Sequence, residues 1–483
     1  MNAVGLLLIA MRLLAPQASA AVRLQAFVDA LNTGKKDAVK SYLMRAFKPE
    51  LATDDFAGRI VQLARIGIPV HLGKVLTDQA TIAIAEIRAS NGDPYEIKMT
   101  FEVGEPYRAT SVLIGGPGSQ SKPPKQVDHW KDLTDLLQQI KEDSGVPALG
   151  IAVSANGKIE SAVVGKRDVN QLDATMLTDR WLIGSITKSM TATMIARLVD
   201  SGVLKWDTTI GQIFPRMPMR EEYRDITLLQ LLQHRSGVQQ DRYVTSAFLN
   251  QAAGPVTEFT KMRDHYAQFT LNRPPLFAPG TKMAYSNAGY SIAGHMAEVA
   301  TGKPYETLMR ELVFDPLGMT SARFGVPGSP GNPGARGQLN GHVVANAGPQ
   351  TRVMDEPQLV GIQAPAGLGM GTTLEDLLKF AQFHLAGLRR TQTLVSAKNF
   401  AVLHDPADKS PGAYKYACGW VIEDALTPDT FHGHNGSDGT FYAEIAIWPK
   451  RNLAAVSITN IGSKESPSPP LQAILSVYRQ IIK

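Results

Sequence analysis

The chain has 483 residues, 44% hydrophobic and 19% charged, which supplies apolar material for packed cores and excludes a disordered chain. At about 150 residues per domain the length suggests two or three domains. The net charge is +5 and the densest basic spots are pairs such as Lys35–Lys36 and Arg389–Arg390, so no nucleic-acid partner is expected. The single cysteine, Cys418, rules out an intrachain disulfide and a cysteine-based zinc site.

Residues 1–20 read as an export leader. Ala3 to Met11 is an apolar run, Arg12 interrupts it, and Ala18-Ser19-Ala20 supplies the small residues that suit cleavage before Ala21. The mature protein is then periplasmic or secreted; the alternative is a disordered or core-packed N-terminal helix. No cysteine follows the run, so a bacterial lipid anchor is not expected. No later stretch approaches the roughly 18 apolar residues of a spanning helix.

Residues 21–115 carry helices and then strands. Leu24, Phe27, Val28 and Leu31 mark one helical face, Val39, Leu43 and Phe47 a second, and Phe56, Ile60, Leu63 and Ala64 a third. Four strands are expected over 71–76, 80–88, 95–103 and 107–114. Helices on an antiparallel sheet make an α+β layer, and the order resembles the cystatin-like cone of small nuclear-transport-factor-type domains. No residue cluster there suggests chemistry, so an accessory domain is expected, with substrate gating or dimer contact as its open roles. Residues 116–126, rich in Gly, Pro and Ser, read as a linker.

Residues 127–483 read as one unit. A helix is expected over 127–142, and strands over 148–155 and 158–165 joined by Asn156-Gly157, a strong hairpin signal. A mostly helical middle follows from about 185 to 383, broken by a Gly/Pro-rich loop at 325–341. Strand character returns at 418–422, 432–434, 440–448 and 453–459, and a last helix covers 471–482. Strands from both ends enclosing a helical insert imply one antiparallel sheet, two lobes and a site between them.

Three short motifs carry the chemistry. Ser185-Ile186-Thr187-Lys188 opens a helix, and its three-residue offset puts serine and lysine on one face. Serine needs a base to become a nucleophile, and a lysine among Ile186, Met190, Ala192 and Met194 is partly desolvated, which favours its neutral form. The helix N-terminus adds N–H donors for an oxyanion. A second such tetrad, Ser119 to Lys122, shows that this spacing alone is unspecific; Ser185 as a helix cap and Lys188 as a solvated charge are the plain alternatives.

Tyr285-Ser286-Asn287 is the second motif and the only Tyr-x-Asn in the chain. A phenol shifted by a nearby ammonium can relay protons, and the asparagine offers a donor and an acceptor to a substrate amide. The third is His434-Asn435-Gly436-Ser437, on an expected strand. Glycine there lets a substrate approach the strand edge, and the N–H of Ser437 can be the second oxyanion donor. His432 and His434 lie two apart as metal ligands on a strand do, but no third ligand is recognisable, so neither a metal nor a cofactor is expected.

In order and context these motifs resemble the serine β-lactamase and penicillin-binding-protein superfamily, and more narrowly the class C β-lactamase branch with its esterases and D-amino-acid peptidases. Trp206-Asp207-Thr208-Thr209-Ile210, Leu232-Gln233-His234-Arg235-Ser236-Gly237 and Pro365-Ala366-Gly367-Leu368-Gly369 add to it. The resemblance covers residues 127–480 and implies a two-lobe fold of antiparallel sheet and helices. It implies Ser185 as the acylated nucleophile, Lys188 as its activator and Tyr285 as proton relay. Asn287, His434 and Gly436 then contact substrate, with Ser185 and Ser437 as oxyanion N–H donors and His234 as a loop-fixing residue. Which of Lys188 and Tyr285 is the base stays open.

One departure matters. β-Lactamases and transpeptidases usually begin the third motif with lysine, and this chain has His434 and no Lys-Thr-Gly or Lys-Ser-Gly. An ordinary imidazole, pKa about 6.5, is mostly neutral at pH 7 and gains charge only toward pH 6. Small esters or amides are therefore the expected substrates, ahead of β-lactams or D-Ala-D-Ala peptides. An inactive ligand-binding scaffold on the same fold is the non-enzyme alternative.

Overall fold

The computed structural model describes residues 19–33, 36–47, 71–79, 82–88, 94–101, 109–115, 127–239, 258–325, 339–345, 348–351, 357–391, 394–409, 415–424, 426–462 and 468–482. The chain divides into two compact units, residues 1–125 with 464–467, and residues 126–463 with 468–483. The expected leader up to residue 18, the third helical face at 56–64 and the 116–126 linker lie outside the described residues.

In the first unit, α1 (Ala20–Asn32) and α2 (Lys36–Ala46) accompany four strands: β1 (His71–Gln79), β2 (Ile82–Arg88), β3 (Pro94–Phe101) and β4 (Ala109–Gly115). The strands pair in sequence order, each antiparallel to the next. The first two helical faces read from the sequence are the buried ones. Leu24, Phe27, Val28 and Leu31 of α1 and Val39 and Leu43 of α2 pack with Ala83, Ala85, Ile87, Ile97 and Met99.

The second unit is built on a six-stranded antiparallel sheet whose first and last strands in space come from distant parts of the chain. α3 (Leu133–Ser144) precedes β5 (Ala148–Ala155) and β6 (Lys158–Gly165). The helix starts six residues later than its apolar pattern suggests because Asp132 caps it, accepting from Asp135 N–H at 2.9 Å. A short β7 (Trp181–Leu182) leads to α4 (Thr187–Asp200), and the helical lobe continues with α5 (Phe259–Leu271) and α6 (Asn287–Thr301). The expected helical middle also contains strands: β8 (Arg323–Phe324), the hairpin of β9 (His342–Ala345) and β10 (Gly348–Thr351), and β11 (Met370–Thr372), which pairs with β7 and β8. Then come α7 (Leu374–Leu388), α8 (Ala397–Leu403), β12 (Val421–Glu423), β13 (Phe431–Ser437), β14 (Tyr442–Trp448), β15 (Leu453–Thr459) and α9 (Pro469–Ile482). β12 is shorter and later than expected because Ala417 N–H turns back to Trp420 O, 2.8 Å, before the strand begins.

The order across the sheet is β12-β13-β14-β15-β5-β6. Alternation sorts its side chains between two cores. Ala443, Ile445, Ile447, Ala454, Val456 and Ile458 face the helical lobe, whereas Ala446, Trp448, Leu453, Ala455, Leu149 and Ile151 pack on α3 and α9. Burial on both faces explains why these strands read as continuous apolar runs. It also fixes the third motif: His432 and His434 pair with Ile447 and Ile445, so their side chains lie on the helical-lobe face. Register is thereby locked, since a one-residue slip would exchange the two faces.

Candidate active site

Ser185 sits in a single 3₁₀ turn, Gly184–Ile186, that runs into α4. The helix is buried almost throughout, and Lys188 is fully enclosed. Its Nζ lies 2.9 Å from Ser185 Oγ, 2.7 Å from Asn287 Oδ1 and 2.7 Å from the Ala366 carbonyl. Enclosure away from water pushes the lysine pKa well below its ordinary value. A neutral amine has two hydrogens and one lone pair, and two of the three neighbours accept only. In that neutral form both N–H groups go to Asn287 and Ala366, which leaves the lone pair for the Ser185 hydroxyl. A neutral lysine so placed can take the serine proton.

Tyr285 and Asn287 flank Ser286, whose side chain caps α6 by accepting from Gly289 N–H at 3.1 Å. The lysine Nζ stands 4.7 Å from the centroid of the Tyr285 ring. His234 holds this turn from both sides: its carbonyl accepts from Ala284 N–H at 2.8 Å and its Nδ1 from Ser286 N–H at 3.1 Å. Its ring packs 4.3 Å from that of Tyr285. Burial, with Lys188 and His434 nearby, keeps the His234 pKa well below normal, as an Nδ1 that must accept requires. The loop-fixing role expected of His234 matches this geometry.

The third motif closes the site through backbone. Glycine is required at two places by close approach. A Cβ on Gly436 would lie 1.9 Å from Ile183 O and 2.8 Å from Ser185 N, and one on Gly184, at φ +51°, would lie 2.4 Å from Ser437 N. The N–H groups of Ser185 and Ser437 thus belong to two backbones in contact. The glycine admits the Gly184–Ile186 turn, whereas the sequence reading assigned that space to substrate. β12 pairs only with Phe431–Gly433, so the strand edge expected for substrate lies beside residues 434–437. The Ser437 side chain is spent on its own turn, donating to Phe441 O at 2.7 Å and accepting from Gly439 N–H at 2.9 Å.

His434 departs from the expectation of an ordinary imidazole. It is buried, and burial with Lys188 nearby lowers its pKa to about 4. It therefore stays neutral through pH 6, and the charge expected in that range does not arise. Its Nε2 is 3.0 Å from the hydroxyl of Tyr416, and its Nδ1 contacts Asn435 O. His432 turns to a different partner, with Nδ1 3.1 Å from His404 Nδ1, so the two histidines do not converge as metal ligands. His404 Nε2 reaches His384 Nδ1 at 2.9 Å, and His384 Nε2 reaches Thr193 Oγ1 of α4 at 3.1 Å. This chain of rings ties the third-motif strand to α4, and burial lowers the pKa of all three histidines.

All seven site residues read from the sequence fall in this one region. Sequence reasoning missed Tyr416, the Ala366 carbonyl as a lysine ligand, and the histidine chain. The turn containing Ala366 was visible as a family segment; Tyr416 lies in no motif.

Comparison with known proteins agrees with this layout. The family model described as Beta-lactamase matches residues 133–477. Penicillin-binding protein 4 of Amycolatopsis lactamdurans is 24% identical over 355 residues, 69% of this chain and 85% of that protein. Among solved structures, D-amino acid amidase from Ochrobactrum anthropi SV3 superposes with a TM-score of 0.58 at 24% identity, over 72% of this chain and 99% of that one. EstCE1, a hydrolase with promiscuous acyltransferase activity, gives 0.59 at 16% identity, over 72% and 98%. At these identities the superpositions speak for the fold, and the family match covers most of the chain. This chain belongs to the beta-lactamase family of serine hydrolases.

Proposed function

We propose that the protein is an exported serine hydrolase that works through an acyl-enzyme on Ser185, with small esters or amides as substrates. The observation that carries this reading is the enclosed Lys188 Nζ 2.9 Å from Ser185 Oγ, with burial holding the lysine pKa well below its ordinary value. In acylation Lys188 takes the hydroxyl proton as Oγ bonds to the substrate carbonyl carbon. The oxyanion is held by the N–H groups of Ser185 and Ser437, and the bond to the leaving group breaks as that group receives a proton by way of Lys188 and Tyr285. Water then repeats the sequence to release the acid and free Ser185. Asn287 Oδ1 is committed to Lys188, so what it offers a substrate is its amide N–H.

His434 supplies no permanent charge, which favours substrates lacking a carboxylate near the third motif over β-lactams and D-Ala-D-Ala peptides. Amides stand beside esters because one solved relative is a D-amino acid amidase. Residues 1–20 act as the leader and 21–115 as a cystatin-like accessory domain. Among the described residues, no helix is long and apolar enough to cross a membrane. A panel of p-nitrophenyl butyrate, an amino-acid anilide and a chromogenic cephalosporin tests the reading. The ester or the anilide should give the highest kcat/KM, and a clear preference for the cephalosporin would return the protein to the β-lactamases proper.

A further inference from the structure

Ser437 is the last residue of β13 to pair with β14, opposite Tyr442, so the chain reverses over residues 438–441 directly after it. On its other side lies the Gly184–Ile186 turn, so close that a Cβ on Gly184 would stand 2.4 Å from Ser437 N and 2.8 Å from Ser437 C. The nitrogen is held between that turn and the reversal. Any shift of the reversal passes to the Ser437 N–H.

Two side chains brace the reversal. The Asp438 Oδ1 takes the N–H groups of Thr440 and Phe441 at 2.8 and 2.7 Å. The Thr440 hydroxyl sits between the two carboxylate oxygens, at 3.0 and 2.9 Å. Ser437 Oγ accepts from Gly439 N–H at 2.9 Å and donates to Phe441 O at 2.7 Å. The N–H groups of residues 439, 440 and 441 thus all end on the side chains of 437 and 438. Aspartate sets turns by gathering backbone donors a few residues on. Here it is half-buried; burial raises its pKa above the ordinary value, and the bonds from Thr440 and Phe441 pull it back. Hydrogen bonds to an ionised acceptor are roughly twice as strong as neutral ones, so this brace is stiffer than a neutral one would be. From outside the loop, Thr440 O accepts from His342 N–H at 3.1 Å.

We propose that Asp438 is a positioning residue for the oxyanion site, fixing through the 438–441 reversal where the Ser437 N–H points. The proposal rests on the Ser185 acyl-enzyme reading above. The carbonyl oxygen of a substrate gains its charge only as Ser185 Oγ bonds to the carbon, so a donor moved off line costs the transition state more than the bound substrate. Without the carboxylate, the N–H groups of Thr440 and Phe441 lose their acceptor, and the loop that holds Ser437 relaxes.

The test compares phenyl butyrate with its thiono analogue, in which C=S replaces C=O. Sulfur is a weak acceptor, so the oxygen-to-sulfur ratio of kcat/KM reads the oxyanion donors and is insensitive to the amount of active enzyme. Wild type should prefer the oxygen ester. In Asp438→Ala the ratio should fall about tenfold, the scale of one hydrogen bond to a charged group, with the loss mainly in kcat for the oxygen ester. Asp438→Asn keeps an acceptor for both N–H groups and offers its NH2 to Thr440 Oγ1, so it should restore the wild-type ratio. Equal falls for both esters in Asp438→Ala, or an asparagine variant as low as alanine, would overturn the proposal. Ser437→Ala is the second variant: it removes the other brace at an exposed side chain and keeps the Ser437 N–H. Its ratio should also fall, and an unmoved ratio there overturns the proposal. Fluorophosphonate labelling of Ser185 in the wild type separates the two readings: absent labelling sinks the acyl-enzyme, whereas labelling with an unmoved ratio in the variants sinks only the role of Asp438.

Discussion

Replacing Gly436 with alanine should disable the enzyme without unfolding it. The added Cβ would lie 1.9 Å from Ile183 O and 2.8 Å from Ser185 N. Both are backbone atoms and cannot swing aside as a side chain does. To bring the first contact to 3.0 Å, a separation below which real Cβ atoms essentially never come, the strand must retreat about an ångström from the nucleophile turn. That retreat moves Ser437 N–H away from the oxyanion. Loss of one oxyanion donor costs about 10²–10³ in kcat, and a misplacement of about 1 Å costs on the order of 10². Steady-state hydrolysis of p-nitrophenyl butyrate by Gly436→Ala should therefore fall at least about a hundredfold, mainly in kcat. Asn435→Ala, at an exposed position on the same strand, should stay within a few-fold of wild type. A folded Gly436→Ala enzyme with kcat within threefold of wild type would refute the oxyanion assignment.

Lys188→Ala and Tyr285→Phe should each slow acylation by roughly 10²–10⁴, and the double variant should cost far less than the product, because the residues act as a unit. Stopped-flow acylation measures this, and full multiplicativity would contradict a shared proton path. Acid should destabilise the fold. His432 and His434 have folded pKa values of about 4 against about 6.5 unfolded, so the unfolded chain binds more protons between these values. The share of stability that these two contribute is complete above about pH 7 and falls as pH drops, by roughly 2 kcal/mol each at pH 5; Glu444, which burial raises to about 8, offsets part of that loss. Urea midpoints that stay level from pH 7 to 5 would contradict this. A shortened chain beginning near Pro123 should keep its single-turnover acylation rate, and collapse of that rate in a folded product would tie the first unit to the chemistry.

The sequence was most informative where local pattern and chemistry coincide. Asn156-Gly157 and its flanking apolar runs locate the β5–β6 hairpin to the residue, and the apolar run at 453–459 does the same for β15. Ser185, Lys188 and Tyr285 were legible because their offsets and order match a known set. What escaped is what only tertiary packing creates. Lys188 could be called desolvated from its apolar neighbours, yet its Ala366 partner lies 178 residues away. His434 was visible, but its charge state is set by burial and by Lys188, and its neighbour Tyr416 precedes it by 18 residues in a segment without a motif. Gly436 was read as room for substrate, and only the folded chain shows that the room is filled by residues 183–185.

The central claim is that Ser185 is acylated during turnover. Intact-mass analysis of enzyme quenched during p-nitrophenyl butyrate hydrolysis, followed by peptide mapping, tests it most directly. A butyryl adduct on the peptide containing Ser185, absent from Ser185→Ala, is the predicted result. Undiminished kcat/KM in Ser185→Ala, or an adduct on any other residue, would contradict the account.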